Sequence, residues 1–221
     1  MDDSRAGTKA ARERMVDAQL RERGVRDPRV LAAMATVPRE AFVADRVRDQ
    51  AYGDFPLPIG SGQTISQPYI VARMTELLAV SPRDRVLDVG TGSGYQAAIL
   101  AELGCEVLSI EREASLARDA ADRLRRLGYD DRVRVVTGDG TMGRPDGAPW
   151  DGILVAAAAP AIPEALRVQL ADGRRLVIPV GTWREQQLMV VERHGDEWQE
   201  RSDGPCVFVP LVGEQGWSSG R

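Results

Sequence analysis

The run Val86-Leu87-Asp88-Val89-Gly90-Thr91-Gly92-Ser93-Gly94-Tyr95 holds the densest set of chemically useful residues in the chain. It follows an apolar strand-like segment and opens a helical one, the setting that a nucleotide-binding loop requires. Glycines at 90, 92 and 94 let the backbone turn tightly and approach a ligand with no Cβ in the way. The dinucleotide fingerprint needs a further glycine at 95, where Tyr95 stands, so NAD and FAD are disfavoured. Glu111 ends the next strand-like segment, 21 residues after Gly90. A carboxylate there can accept from two ribose hydroxyls, or serve as an N-cap acid ahead of Glu113. Asp139, with Gly140 after it, follows the third such segment, and can accept from an adenine amino group or cap a turn.

Other chemistries are poorly supplied. The chain has two cysteines, Cys105 and Cys206, and one histidine, His194. Without a CxxC pair or a histidine cluster, no metal site is expected. His194 sits in a polar His-Gly-Asp-Glu run that reads as a solvated turn rather than a catalytic base. Ser66 precedes a helix beginning near Pro68, so on its own it reads as a cap.

The elements that must hold these residues follow from periodicity. Helices are expected over 10–23, from Asp27 with Pro28 at its first position, and over 68–80. Between the last two lies a Gly-, Pro-, Ser- and Gln-rich stretch, 52–68, long enough to be a functional loop. After Pro82, strands over 85–89, 106–111, 132–137, 152–156 and 175–180 alternate with helices over 95–103, 113–127 and 163–170. Gly104, Gly128 and Gly173 are expected as helix stops. Such β-α alternation predicts a doubly wound α/β fold, a mostly parallel sheet with helices on both faces. Segments 187–193 and 206–212 are expected to close it as an antiparallel pair. Residues 1–80 then form N-terminal helices and an active-site loop packed on the core, and 81–221 the ligand-binding α/β domain, within one structural unit.

The DxGxGxG spacing of Asp88, Gly90, Gly92 and Gly94 resembles the cofactor loop of class I, Rossmann-like S-adenosylmethionine-dependent methyltransferases. A second resemblance is more specific. The run Leu57-Pro58-Ile59-Gly60-Ser61-Gly62-Gln63-Thr64-Ile65-Ser66-Gln67-Pro68-Tyr69 is similar to the signature of protein-L-isoaspartate O-methyltransferases. So are Met34–Val43, Gly138-Asp139-Gly140, Ala148–Asp151, Ala157–Pro160, Leu176–Gly181 and Phe208–Val212, in order from about Met15 to Trp217. One departure is Val207, where bacterial members often carry arginine.

The resemblance implies that S-adenosyl-L-methionine is held by Asp88, Gly90, Thr91, Gly92, Ser93 and Gly94, with Glu111, Asp139 and Gly140. From the upstream loop it adds Thr64 and Ser66, and it gives Ser66 a catalytic place beside the sulfonium and the substrate carboxylate. It sets Ile65, Ala158, Pro160, Val209, Pro210 and Leu211 against the substrate peptide, although 157–160 also reads as a buried strand end and 208–212 as plain core. The implied reaction methylates the free α-carboxylate of L-isoaspartyl residues in damaged proteins, and the ester closes to succinimide.

Chemistry and composition agree with that implication. A carboxylate, with a pKa near 4, arrives ionised at neutral pH, so the scarcity of histidine is no obstacle. Amine methylation in nucleic acids would call for an Asp/Asn-Pro-Pro-Tyr/Phe motif where Ala156-Ala157-Ala158-Ala159-Pro160 stands. The net charge of −4 across 221 residues, with 28 arginines and only Lys9 for lysine, gives no basic surface for nucleic acid. No apolar stretch approaches the roughly 18 residues of a membrane span. A cytoplasmic, reduced monomer acting on isoaspartyl proteins is expected, with neither nucleic acid nor membrane as partner. The alternatives are a methyltransferase for aspartate in a peptide natural product, which genomic neighbours would reveal, and a non-catalytic peptide-binding module.

Overall fold

A computed structural model describes residues 2–218, with side chains from Gly7 onward; Met1 and residues 219–221, the outer limits of the two expected regions, lie outside the described residues. The N-terminal helix α1 (Asp2–Arg14) continues as a π-helical segment over Met15–Arg21, longer than periodicity implies. Helix α2 (Pro28–Thr36) starts as expected, with the Asp27 side chain accepting from Arg29 N–H. The 52–68 stretch is not merely loop. It contains a hairpin, β1 (Leu57–Gly60) and β2 (Gln63–Ile65), with Leu57 opposite Ile65. Helix α3 (Pro68–Leu78) follows.

The α/β part then runs β3 (Arg85–Val89), α4 (Tyr95–Glu102), β4 (Glu106–Glu111), α5 (Ala114–Arg126), β5 (Val133–Thr137), β6 (Trp150–Val155) and α6 (Glu164–Val168). It ends with β7 (Leu170–Gly181), β8 (Gln186–His194) and β9 (Glu197–Cys206). Seven strands form one sheet in the order β5-β4-β3-β6-β7-β8-β9, parallel through β7 and antiparallel beyond it. The order reverses between β3 and β6, and ligands of doubly wound folds bind at the carboxyl ends of strands beside such a switch.

Two expectations need correction. The last strand is Glu197–Cys206, paired to β8 around a turn at Gly195, rather than 206–212. As an edge strand it is polar and largely exposed, so it lacks the apolar run that marks a buried strand. The apolar 207–212 run instead crosses the carboxyl edge of the sheet, where Pro210 makes a parallel bridge with Ala158. Gly173 is the second correction. α6 stops at Val168, and Gly173, at φ +69°, is a kink inside β7.

The core ties the two regions together. Met15, Leu20, Met34 and Phe42 share an apolar cluster with Tyr95, Ile99, Leu154 and Leu188. Phe42 meets Tyr95 edge-on at 5.3 Å between centroids, a geometry worth about 1 kcal/mol beyond area burial. Tyr95 is the first residue of α4, so this contact couples the N-terminal helices to the glycine loop.

Candidate active site

The cradle is built by backbone. After β3, Gly90, Gly92 and Gly94 all take left-handed φ (+92°, +52° and +89°), which side chains disfavour. Glu111, at the end of the neighbouring β4, reaches across: its Oε2 accepts from Gly92 N–H at 2.8 Å and its Oε1 from Glu113 N–H at 3.0 Å. Two backbone donors thus orient a nearly buried carboxylate whose other lone pairs serve a cavity of about 100 Å³. Gly90, Gly92, Gly140, Pro210 and Leu211 line the same cavity, and a Cβ on Gly140 would stand 2.4 Å from Val89 Cγ1.

Some expected binding residues lie behind the cradle wall. Asp88 is fully buried and lines none of the site's cavities; its Oδ2 accepts from Ser109 Oγ, which shares a 2.6 Å hydrogen bond with Thr91 Oγ1. Burial pushes the Asp88 carboxyl up to about 7. Gly94 also lines none of them: a Cβ there would lie 3.2 Å from Leu124 Cδ1, so its place is helix packing. Ser93 and Thr91 border a small cavity of about 40 Å³ on the α4 side, with Ile65 and Ser66.

Asp139 caps a short turn and holds the C-terminal segment. Its Oδ1 accepts from Thr141 N–H (2.9 Å) and Oγ1 (2.7 Å), and its Oδ2 from Glu214 N–H (2.8 Å). Burial alone would raise its pKa, but those donors hold the carboxylate below its usual value.

A groove of about 840 Å³ opens on the other side of the hairpin, lined by Ser66, Tyr69, Val207, Phe208 and Val209. The 207–211 segment is anchored on both sides. Ala158 N–H donates to Val209 C=O and Leu211 N–H to Ala158 C=O, both at 2.8 Å. Opposite, the buried Gln186 amide acts like a strand partner: Phe208 N–H donates to its Oε1 (2.7 Å) and its Nε2 donates to Phe208 C=O (3.3 Å). Ala158 is therefore a backbone clip behind the wall, and the exposed Pro160 lines none of the three cavities.

All three cavities meet at Thr64 and Ala156, which line each of them. Ser66 stands beside this junction, bordering both the groove and the small cavity. Helix α3 is capped from Gln67 without a side-chain bond, and the Ser66 hydroxyl has no partner among the described residues, so it does not act as the cap. The Ser66 carbonyl accepts from Arg39 Nη2 at 2.7 Å. His194, expected in a turn, is instead the exposed last residue of β8, paired with Glu197 beside the Gly195 turn, and lines none of the three cavities. Another cavity, about 460 Å³, lies at the amino ends of the strands and shares no residue with the site.

Ala156, Gln186 and Arg39 escaped sequence reasoning. Ala156 had a signal, as the first residue after the strand beside the switch point. Gln186 and Arg39 had none, because both act on backbone carbonyls and amides of distant segments.

The arrangement fits S-adenosyl-L-methionine: a cradle with bare backbone at Gly90, Gly92 and Gly140 beside a preoriented carboxylate meets a peptide-sized groove at a junction flanked by hydroxyl side chains. Comparison with known proteins agrees. The family description protein-L-isoaspartate(D-aspartate) O-methyltransferase (PCMT) matches residues 10–216. A protein-L-isoaspartate O-methyltransferase of Koribacter versatilis is 56% identical over 210 residues, covering 95% of this chain and 94% of the relative. One of Methanoregula boonei is 55% identical over 208 residues, covering 94% and 95%. Among solved structures, a protein-L-isoaspartate O-methyltransferase superposes with TM-score 0.84 at 28% identity, covering 93% of this chain and 67% of the other. A Plasmodium falciparum PCMT structure, solved in complex with S-adenosyl-L-homocysteine, shares the fold with TM-score 0.77 at 24% identity, covering 93% and 98%. Since the match spans nearly the whole chain and includes the hairpin that joins cradle to groove, the chain belongs to the protein-L-isoaspartate O-methyltransferase family.

Proposed function

We infer that this chain methylates the free α-carboxylate of L-isoaspartyl residues in proteins, the first step of their repair through succinimide. The observation that carries the reading is the junction at Thr64 and Ala156, where the glycine cradle and a peptide-sized groove share walls, with Ser66 beside it on the groove side. S-adenosyl-L-methionine, when bound, supplies a methyl group whose bond to sulfur breaks as the bond to a carboxylate oxygen forms. The chain's residues have four tasks. Glu111 accepts from ribose hydroxyls with the lone pairs not used by Gly92 and Glu113. Gly90 and Gly92 leave room for the ligand against bare backbone, with Thr91 and Asp88 bracing the loop from behind. The Ser66 hydroxyl donates to one carboxylate oxygen and so aims the other at the methyl group. Val209 and the groove wall hold the peptide extended beside the methyl donor.

No proton is moved, because the acceptor is already ionised, and no general base is needed. Strand-like pairing of the peptide is limited to the groups that Ala158 and Gln186 leave free, such as Val209 N–H. The working form is a cytoplasmic monomer; the two free cysteines, Cys105 and Cys206, suit a reducing compartment. Incubation with methyl-labelled S-adenosylmethionine and an isoaspartyl peptide tests the reading. The label should appear as a base-labile ester and leave as methanol; a base-stable methyl group would show a different acceptor.

A further inference from the structure

Arg39 is among the largest fully buried side chains, and it has no acidic partner among the described residues. It belongs to a 3₁₀ turn, Arg39–Phe42. Its Nε donates to Ala51 C=O and its Nη2 to Ser66 C=O, each at 2.7 Å, and Nη1 has no partner. The guanidinium sits 5.0 Å from the centroid of Tyr95, a residue of the small cavity that Ser66 also lines. The neighbouring carboxylate, Glu40, is already engaged by Tyr52 Oη and by Arg12 Nη2. The other groups facing this guanidinium, Tyr95 and Tyr52, have burial-raised pKa values and are neutral phenols at neutral pH.

A buried cation without a counter-ion is costly, and proteins rarely keep one except where something negative will arrive. Burial lowers the guanidinium's pKa, yet arginine remains charged at neutral pH. The reaction brings a substrate carboxylate next to Ser66 with no cation of its own, whereas the carboxylate of S-adenosyl-L-methionine arrives with its own ammonium. We propose that Arg39 is the positioning residue of the acceptor site, fixing the Ser66 backbone and supplying, from behind it, the positive charge that selects a carboxylate over a neutral group. This rests on the carboxyl-methylating reading above.

The charge has a specific kinetic consequence. The reaction joins an anion to a cationic methyl donor and yields a neutral ester and a neutral thioether. A cation behind Ser66 stabilises the bound carboxylate more than the partly neutralised transition state, so it acts on binding more than on the chemical step. It also disfavours retention of the neutral ester relative to fresh substrate.

The test compares binding of two peptides of one sequence, an isoaspartyl carboxylate and its isoasparaginyl amide, in the presence of S-adenosylhomocysteine, to wild type, Arg39→Lys and Arg39→Met. Calorimetry with S-adenosylhomocysteine on each variant reports that the cofactor cradle is intact. Wild type should bind the carboxylate about 10-fold or more tighter than the amide, as expected of a charge at short range in a protein interior. Arg39→Met should erase that preference and raise KM for the isoaspartyl peptide by a larger factor than it lowers kcat. Arg39→Lys should keep most of the preference. Equal binding of the two peptides by wild type would overturn the proposal even if Arg39→Met did not fold. Parallel weakening of both peptides in Arg39→Met, or loss of preference in Arg39→Lys as large as in Arg39→Met, would reduce Arg39 to a structural residue. Failure of wild type to methylate any isoaspartyl peptide would instead strike the functional reading itself.

Discussion

The carboxylate of Glu111 accepts a 2.8 Å hydrogen bond from the backbone N–H of Gly92, joining the ends of β3 and β4 across the mouth of the cradle. Glu111→Gln keeps the shape but loses the charge that strengthens both the Gly92 bond and any bond from a ribose hydroxyl. Charge-assisted hydrogen bonds contribute about 1.5–3 kcal/mol, so cofactor affinity should fall about 10- to 100-fold. Calorimetric titration with S-adenosylhomocysteine measures this; unchanged affinity would place the ribose elsewhere.

Gly92 gives the steric counterpart. Its φ of +52° disfavours side chains, and a Cβ there would stand 3.3 Å from Ile59 Cδ1 of the hairpin. Gly92→Val should abolish the thermal stabilisation that S-adenosylhomocysteine gives the wild type by mass action. A preserved ligand-induced shift would mean that the glycine loop does not face the cofactor.

Ser66 should behave as an aligning donor. Its hydroxyl has no partner among the described residues, and the single histidine, His194, is at the exposed end of β8 and lines no cavity that Ser66 lines. Ser66→Ala should lower kcat by about 10²-fold while leaving cofactor affinity within a few-fold. The wild-type kcat profile should lack a limb near pH 6 to 7 that would report a histidine base. Wild-type turnover in Ser66→Ala would return the residue to a structural role.

Asp88 makes folding stability depend on pH. Burial raises its pKa from 3.8 to about 7, opposed by the Ser109 hydrogen bond and increased by the Glu111 charge. The folded state therefore holds this proton more tightly than the unfolded state. The contribution is complete below about pH 4 and is lost as pH rises through about 7, by at most about 4 kcal/mol. Denaturant unfolding of wild type and Asp88→Asn at pH 5 and pH 8 isolates it. Relative to the variant, wild type should lose about 2–4 kcal/mol between these values. A constant difference would mean that Asp88 is ionised in the fold throughout.

Much of the α/β framework was legible because buried parallel strands are written as short apolar runs. The bounds of β3 and β4 agree with the sequence expectation residue for residue. The hairpin at 57–65 was not legible: its strands have four and three residues, interrupted by proline, glycine and serine. β9 was misplaced because an edge strand needs no apolar pattern, whereas 207–211 is apolar for crossing the sheet edge at Ala158. Within the site, glycines and terminal acids announced themselves by type and spacing. Residues that act through backbone groups of distant segments did not. Asp139 is held by Glu214, 75 positions away, and Phe208 by Gln186. Spacing along one sequence cannot register such pairs.

The central claim is that the groove reads an isoaspartyl carboxylate and the junction methylates it. The most direct measurement compares initial methylation rates on two peptides of identical composition, one with an L-isoaspartyl and one with a normal L-aspartyl linkage. The isoaspartyl linkage adds a methylene to the backbone and displaces the carboxylate to the α position. A difference in the placement of the reacting group of this size changes rates by orders of magnitude. The isoaspartyl peptide should be methylated and its aspartyl twin should not; equal rates on the two would contradict the account.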